Sequence, residues 1–478
     1  MSVGRRAFLT GAASFAAAGS APKLVFAQNA SQGGGFNDEV LVYVFLRGGL
    51  DGLSLYAPGS GHPDRGHYEG LRTSDSVRLP LLGANAMLPL ADGFGLNSAA
   101  APLHDLWTQG DLGFVHATGL PIVNRSHFEA ERFIEFGTPG SVELGIPGSR
   151  LTPDGWLTRH LNSASNLPPS ITLPAVVTES RTTLSFLRSS SVVSLRSPGN
   201  FDFNETTSGN LEEQVEDTLQ SIYAQDGSDL GAAGELALTA LTQVEQIFGD
   251  VNNFDYNESL SPADRYPTFV SNSGQTRLHT ISDKLITLSR LIKADVGLRL
   301  SQVDYGGWDD HTDLGALPEG VNGSSGRYYD RLDVLSRAIQ AFWNDMRGLA
   351  NDPRDFTGRV TMVFQSEFGR RAFNNNDNGT DHGAGNMMML LGGHVNGGQF
   401  HGTWPGLAPD DLQNNADLRT TTDFRQVLGE VMIRRFGNNQ FGEIFPNFVN
   451  FEPMGTVDGP LIFPDYGTGN EIFTDSFE

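Results

Sequence analysis

Val40-Leu41-Val42-Tyr43-Val44-Phe45-Leu46 is an unbroken run of β-prone apolar residues, the pattern of a strand covered on both faces in a parallel sheet. Leu112-Gly113-Phe114-Val115 predicts a shorter strand. Leu278, Ile281, Leu285, Leu288 and Ile292 fall at helical spacing, and Val296, Leu298 and Leu300 then alternate as a strand over 296–303. Helical spacing returns over 327–347 through Leu332, Leu335, Ile339, Phe342 and Met346. Val360–Phe364 and Met387–Leu391 read as further buried strands. Thr422 or Asp423 is placed to cap a last helix through Phe424, Val427, Leu428, Val431 and Met432. Strands alternating with helices in this way predict an α/β domain around a mostly parallel sheet.

Residues 140–275 break the pattern. They are rich in Ser, Asn, Thr and Pro, with acidic helices expected near 211–224 and 234–248. Because the alternation resumes afterwards, this block reads as a peripheral insertion or cap on one domain spanning 38–440. Residues 441–478 read as an acidic tail, loosely packed from Gly455 onward.

Composition narrows the chemistry. The 478 residues carry 56 acids against 32 bases, a formal charge of −24, which repels phosphate backbones and anionic lipid surfaces and argues against nucleic-acid binding. Cysteine is absent, so any metal must be held by Asp, Glu, His or hydroxyl groups. Arg5 and Arg6 precede Ala7-Phe8-Leu9 and a small-residue apolar run, resembling a twin-arginine export signal over 1–27. That run is too short to span a bilayer, so no membrane span is expected after processing.

Chemistry-bearing residues collect just past strand ends, where open parallel sheets bind ligands. The first strand runs into Arg47-Gly48-Gly49-Leu50-Asp51-Gly52, and the strand near 300 into Gly306-Gly307-Trp308-Asp309-Asp310-His311. The strand at 360–364 runs into Ser366-Glu367-Phe368-Gly369-Arg370, and Gly379-Thr380-Asp381-His382-Gly383 directly precedes the run at 387–391. Asn124-Arg125-Ser126-His127-Phe128 lies at a helix start. Each piece has a plain alternative: Asp51 as a turn or cap, Ser126 as an N-cap, Glu367 as an ion-pair partner of Arg370 or Arg371. Together, carboxylates and imidazoles after successive strands suit a divalent ion such as Zn²⁺, Mn²⁺, Mg²⁺ or Ca²⁺.

These five motifs, in this order, resemble the bacterial domain of unknown function 1501, whose members are usually exported by the twin-arginine route. That family is similar to the alkaline phosphatase and sulfatase superfamily. The resemblance implies a three-layer, alkaline-phosphatase-like fold, one or two divalent metals, and a nucleophile at a helix N-terminus. On it, Asp51, Asp309, His311, Glu367 and His382 are the metal ligands and Ser126 the nucleophile. Phe368 stands where the superfamily has a ligand histidine, so either Asp381 or His127 substitutes or only one metal binds. The expected function is an exported, metal-dependent hydrolase of small phosphate or sulfate esters, with the twin-arginine machinery as export partner. The alternative is an exported, non-catalytic binding or structural protein on the same fold.

Overall fold

The computed structural model describes residues 38–139, 154–167, 173–196, 209–226, 229–248 and 255–467. The signal-like segment 1–27 lies outside them. Among the described residues, a nine-stranded sheet forms the middle layer. In chain order its strands are β1 Val40–Phe45, β2 Leu112–Gly119, β3 Ala175–Val177, β4 Val192–Ser194, β5 Leu300–Asp304, β6 Val360–Gln365, β7 Asn386–Gly392, β8 Phe400–His401 and β9 Thr422–Asp423. They lie side by side as β8-β2-β7-β6-β1-β5-β3-β4, with β9 also paired to β2. β7 alone runs antiparallel to its neighbours β6 and β2; the other pairings are parallel.

β1 shows why its sequence is apolar throughout. Val40, Val42 and Val44 enter one core and Leu41, Tyr43 and Phe45 the other. Helices Ala101–Gln109, Thr280–Lys293 and Arg327–Arg347 cover the first face. Helices His127–Glu135, Trp156–Ser163 and Phe424–Arg434 cover the second. The result is a three-layer α/β architecture, mostly parallel, as the strand–helix alternation predicts. Asp423 caps the last of these helices, accepting from the Arg425 N–H at 3.0 Å.

Three expectations are corrected. The strand read over 296–303 begins only at Leu300, because Asp295 and Gly297 take positive φ of 51° and 87° that break an extended run. Val296 and Leu298 still bury their side chains, which is why they alternate. The polar block 140–275 does not simply sit beside the sheet: β3 pairs with β5 and β4 with β3, extending one edge. Three-residue strands are too short to leave a periodic signal. Its acidic helices, Gly209–Gln225 and Asp229–Phe248, do form and pack against each other. Finally, residues 441–457, read as part of an acidic tail outside the domain, pack onto it, and the looseness expected from Gly455 does not begin before Val457. Phe441, Ile444, Phe445 and Phe448 join the second core, and buried Glu430 accepts the N–H groups of Met454, Gly455 and Thr456.

One buried group gives the fold a pH signature. His160, on helix Trp156–Ser163, is 1% exposed and accepts from the Asn438 amide at its Nδ1, 3.0 Å away. Burial pushes its pKa down to about 4. The unfolded chain therefore takes up a proton near pH 6.5 that the folded chain refuses until about pH 4. Stability is undiminished above that window and falls through it as pH drops, by on the order of 3 kcal/mol. Denaturant melts at pH 7 and pH 5 should show a smaller acid loss in His160→Gln than in wild type; equal losses count against the assignment.

Candidate metal centre

The carboxyl ends of β1, β5 and β6 open on one edge of the sheet. Because β7 is antiparallel, the loop that precedes it reaches the same edge, bringing Asp381 and His382 beside the segments that follow the other strands. Helix His127–Glu135, entered after β2, adds its first residue. Five chain segments far apart in sequence thus meet in one place.

Asp309 Oδ1 is the focus. His311 Nε2 lies 3.0 Å from it, His382 Nε2 3.1 Å and His127 Nε2 3.4 Å. Ligand atoms of His127, Asp309 and His382 all lie within 4.8 Å of one another, and His311 Nε2 is 2.9 Å from His382 Nε2. Donors held about 2.0–2.1 Å from a central ion stand about 3.3 Å apart, close to the separations given from Asp309; His311 approaches Asp309 and His382 but lies outside the group that includes His127.

The ring tautomers follow from what lies behind each imidazole. His127 Nδ1 is 2.6 Å from Glu367 Oε1, His311 Nδ1 is 3.2 Å from Asp381 Oδ1, and His382 Nδ1 is 2.8 Å from the Arg125 carbonyl. All three partners are acceptors, so each Nδ1 carries a proton and donates it outward. Each Nε2 then presents a lone pair inward. Two such lone pairs 2.9 Å apart repel unless a proton or a cation lies between them, and the buried Nε2 of His127 has no hydrogen-bond partner among the described residues. Imidazoles backed by carboxylates or carbonyls, with converging Nε2 atoms, are a donor set suited to a transition ion.

Electrostatics agree. The Glu367 hydrogen bond outweighs burial and makes His127 more basic than usual, whereas burial makes His382 less so. Burial opposes ionisation of Asp309, yet the Arg370 guanidinium, which donates to its Oδ1, brings its pKa down to about 2. Burial also opposes the charge on Glu367, but His127 and the backbone N–H groups around Gly48 keep it more acidic than usual.

The residues expected as ligands separate into groups. Asp309, His311 and His382 come together. Glu367 is fully buried and faces His127 and the Gly48 N–H, so it orients an imidazole instead of joining the cluster. Asp51 has its two oxygens on the Arg72 guanidinium at 2.8 and 3.0 Å and also caps the short helix Gly52–Leu55. Both Asp51 and Arg72 are buried, and no hydrogen bond or ion pair among the described residues links Asp51 to the cluster. A guanidinium holds Asp51 where a metal was expected. Ser126 is exposed at the helix start, but its hydroxyl makes no capping hydrogen bond; its N–H donates to Asn124 Oδ1.

His127 is the member of the cluster that the motif pattern undervalued. The pointer to it was Phe368: where a ligand histidine was expected, this ring instead packs against His127 and His382, with centroids 4.8 and 4.7 Å away. Arg370 is the other component. Its guanidinium donates to the Gly49, Thr380 and Trp308 carbonyls and to Asp309 Oδ1, at 2.6 Å, which ties the loops together and leaves it little freedom to meet a substrate. Close backbone approach explains the glycines. Gly48 has φ of +114°, and a Cβ there would sit 2.8 Å from the Asp309 nitrogen.

The family model described as Protein of unknown function (DUF1501) matches residues 38–444. The chain belongs to this family. All of the residues around Asp309 fall within the DUF1501 match. No curated protein matches the chain. Among solved structures, the lipoteichoic acid synthase LtaP from Listeria monocytogenes is similar at a TM-score of 0.31 and 8% identity, over 88% of this DUF1501 chain and 75% of that one. At that distance no residue role passes from one to the other.

Proposed function

We propose that this protein is an exported, metal-dependent hydrolase of small phosphate or sulfate esters, with one transition-metal site held by His127, Asp309, His311 and His382. The observation that carries the metal is the set of three imidazoles whose Nδ1 atoms face acceptors and whose Nε2 atoms face one carboxylate oxygen. Three nitrogens and one oxygen suit Zn²⁺ or a neighbouring transition ion better than Mg²⁺ or Ca²⁺, which prefer all-oxygen shells. Such an ion, when bound, would supply Lewis-acid polarisation of the ester and of a nearby hydroxyl. Ser126, exposed beside His127 with its hydroxyl uncommitted to capping, supplies the attacking oxygen. Glu367 and Asp381 hold the imidazoles in register.

The export half of the proposal rests on Arg5-Arg6 and the small-residue run after them, and removing 1–27 takes away three bases and no acids. Among the described residues no helix is long and apolar enough to cross a membrane.

Elemental analysis of protein purified from its native host should find about one transition ion per chain. Chelation should abolish hydrolysis of 4-nitrophenyl phosphate or 4-nitrophenyl sulfate, and Zn²⁺ should restore it where Mg²⁺ and Ca²⁺ do not. A folded protein that takes up no stoichiometric metal defeats the proposal and leaves a binding role on the same fold.

A further inference from the structure

Asp417 belongs to none of the five motifs, yet it sits directly behind the metal centre. Its side chain is fully buried and pairs with the Arg125 guanidinium, whose own side chain is 37% exposed. The neighbouring backbone supports both loops that reach the cluster. Ala372 N–H donates to the Ala416 carbonyl, Arg371 and Asp417 form a β-bridge, and Gly385 N–H donates to the Leu418 carbonyl. Arg125 is the junction on the other side: its carbonyl accepts the His382 Nδ1 proton, and the next two residues are Ser126 and His127.

A buried carboxylate held this way is poorly satisfied. Among the described residues, Asp417 Oδ1 accepts no hydrogen bond and the buried Nε–H of Arg125 donates none. Pairing through one oxygen makes little of a fully desolvated charge, so stability alone is a weak reason for it to be there. Its effect lies in geometry. Anchoring Arg125 fixes the turn 124–127, and that turn sets three things at once: the carbonyl that decides the His382 tautomer, the position of the His127 ring, and the direction of the Ser126 hydroxyl.

We infer that Asp417 is a positioning residue for the metal centre, acting through Arg125 on His382 and His127; the inference rests on the proposed metal site. Two variants test it. Asp417→Asn keeps the side-chain shape and removes the charge. Arg125→Met breaks the same pair from its more exposed end; because it strands the buried Asp417 carboxylate, its melting temperature is read alongside. Asp345→Asn is the control, because Asp345 is equally buried and ion-paired, to Lys293, within a separate network of Tyr256, Tyr266 and Ser289.

Cobalt(II) is the probe, titrated into metal-stripped full-length protein against a competing chelator. Both test variants should bind it 10–100-fold more weakly, the usual effect of losing support behind a ligand, with an altered visible absorption band. Asp345→Asn should lower the melting temperature and leave affinity and band unchanged. Wild-type affinity and band in Asp417→Asn and Arg125→Met overturn the inference. A second readout keeps it independent of metal binding. In metal-free, ¹⁵N-histidine-labelled protein, His382 should be the Nδ1–H tautomer in wild type and a mixture in the variants. If wild type binds no cobalt, the proposed function falls, while an unchanged tautomer in the variants still decides against Asp417.

Discussion

His127→Ala should lose metal and activity together, and should destabilise the fold as well. Structural zinc sites are worth about 10–16 kcal/mol over four ligands, so one ligand accounts for about 3 kcal/mol, on the order of a 100-fold loss of affinity. The same substitution strips buried Glu367 Oε1 of the His127 hydrogen bond, leaving it the backbone N–H groups around Gly48. A hydrogen bond to a charged group contributes about 1.5–3 kcal/mol, and a buried carboxylate left short of donors costs in that range. His382→Ala makes a useful comparison. It too removes a ligand, but what it leaves behind is the Arg125 carbonyl, a neutral acceptor next to an exposed turn. Both variants should fail to retain Zn²⁺ in equilibrium dialysis, and His127→Ala should have the lower melting temperature without metal. Retention of a full equivalent of zinc by His127→Ala would falsify the ligand assignment. Glu367→Gln tests the residue behind it and should weaken zinc by roughly 10–100-fold, since an amide can offer His127 either a donor or an acceptor.

The second large effect belongs to Ser126→Ala. If Ser126 supplies the attacking oxygen, hydrolysis of phosphate or sulfate esters should fall by on the order of 10³-fold or more, in kcat and not in KM alone. Metal content should be unchanged, because the proposed ion is held by His127, Asp309, His311 and His382. The structure also sharpens what happens to stability. As an N-cap, serine would contribute about 1 kcal/mol through its hydroxyl. Here the hydroxyl makes no capping bond and the residue is exposed, so the melting temperature should stay within the range of an ordinary surface substitution, about 0.5 kcal/mol. Wild-type turnover in Ser126→Ala, measured on metal-loaded protein, removes it from the chemistry.

Much of the architecture was legible in the chain because covering a sheet on both faces forces a simple pattern. β1 and β6 are apolar at every or nearly every position, and the helices over 280–293 and 327–347 repeat their apolar residues at the helical period. The short strands β3 and β4 at one side of the sheet were not legible, since three residues cannot show a period. Nor was the packing of Phe441, Phe445 and Phe448, where scattered aromatics among polar residues were read as the start of an acidic tail.

The sequence by itself determined the ingredients of the site: carboxylates and imidazoles after successive strands, a glycine turn at 48–49, no thiolate, and a loop ending in His382 just before an apolar strand. Only the tertiary structure decided their roles. Asp51 and Glu367 are both acids just past the ends of parallel strands, but one meets Arg72 and the other meets His127. Those partners lie 21 and 240 positions away along the chain. The same holds for the three imidazoles. Whether a histidine offers a lone pair or a proton depends on which acceptor stands behind its Nδ1, and here those acceptors arrive from Glu367, Asp381 and the Arg125 carbonyl. Local sequence sets which groups a loop carries; the folding of distant loops onto one sheet edge sets which of them are already satisfied and which are left facing a common point.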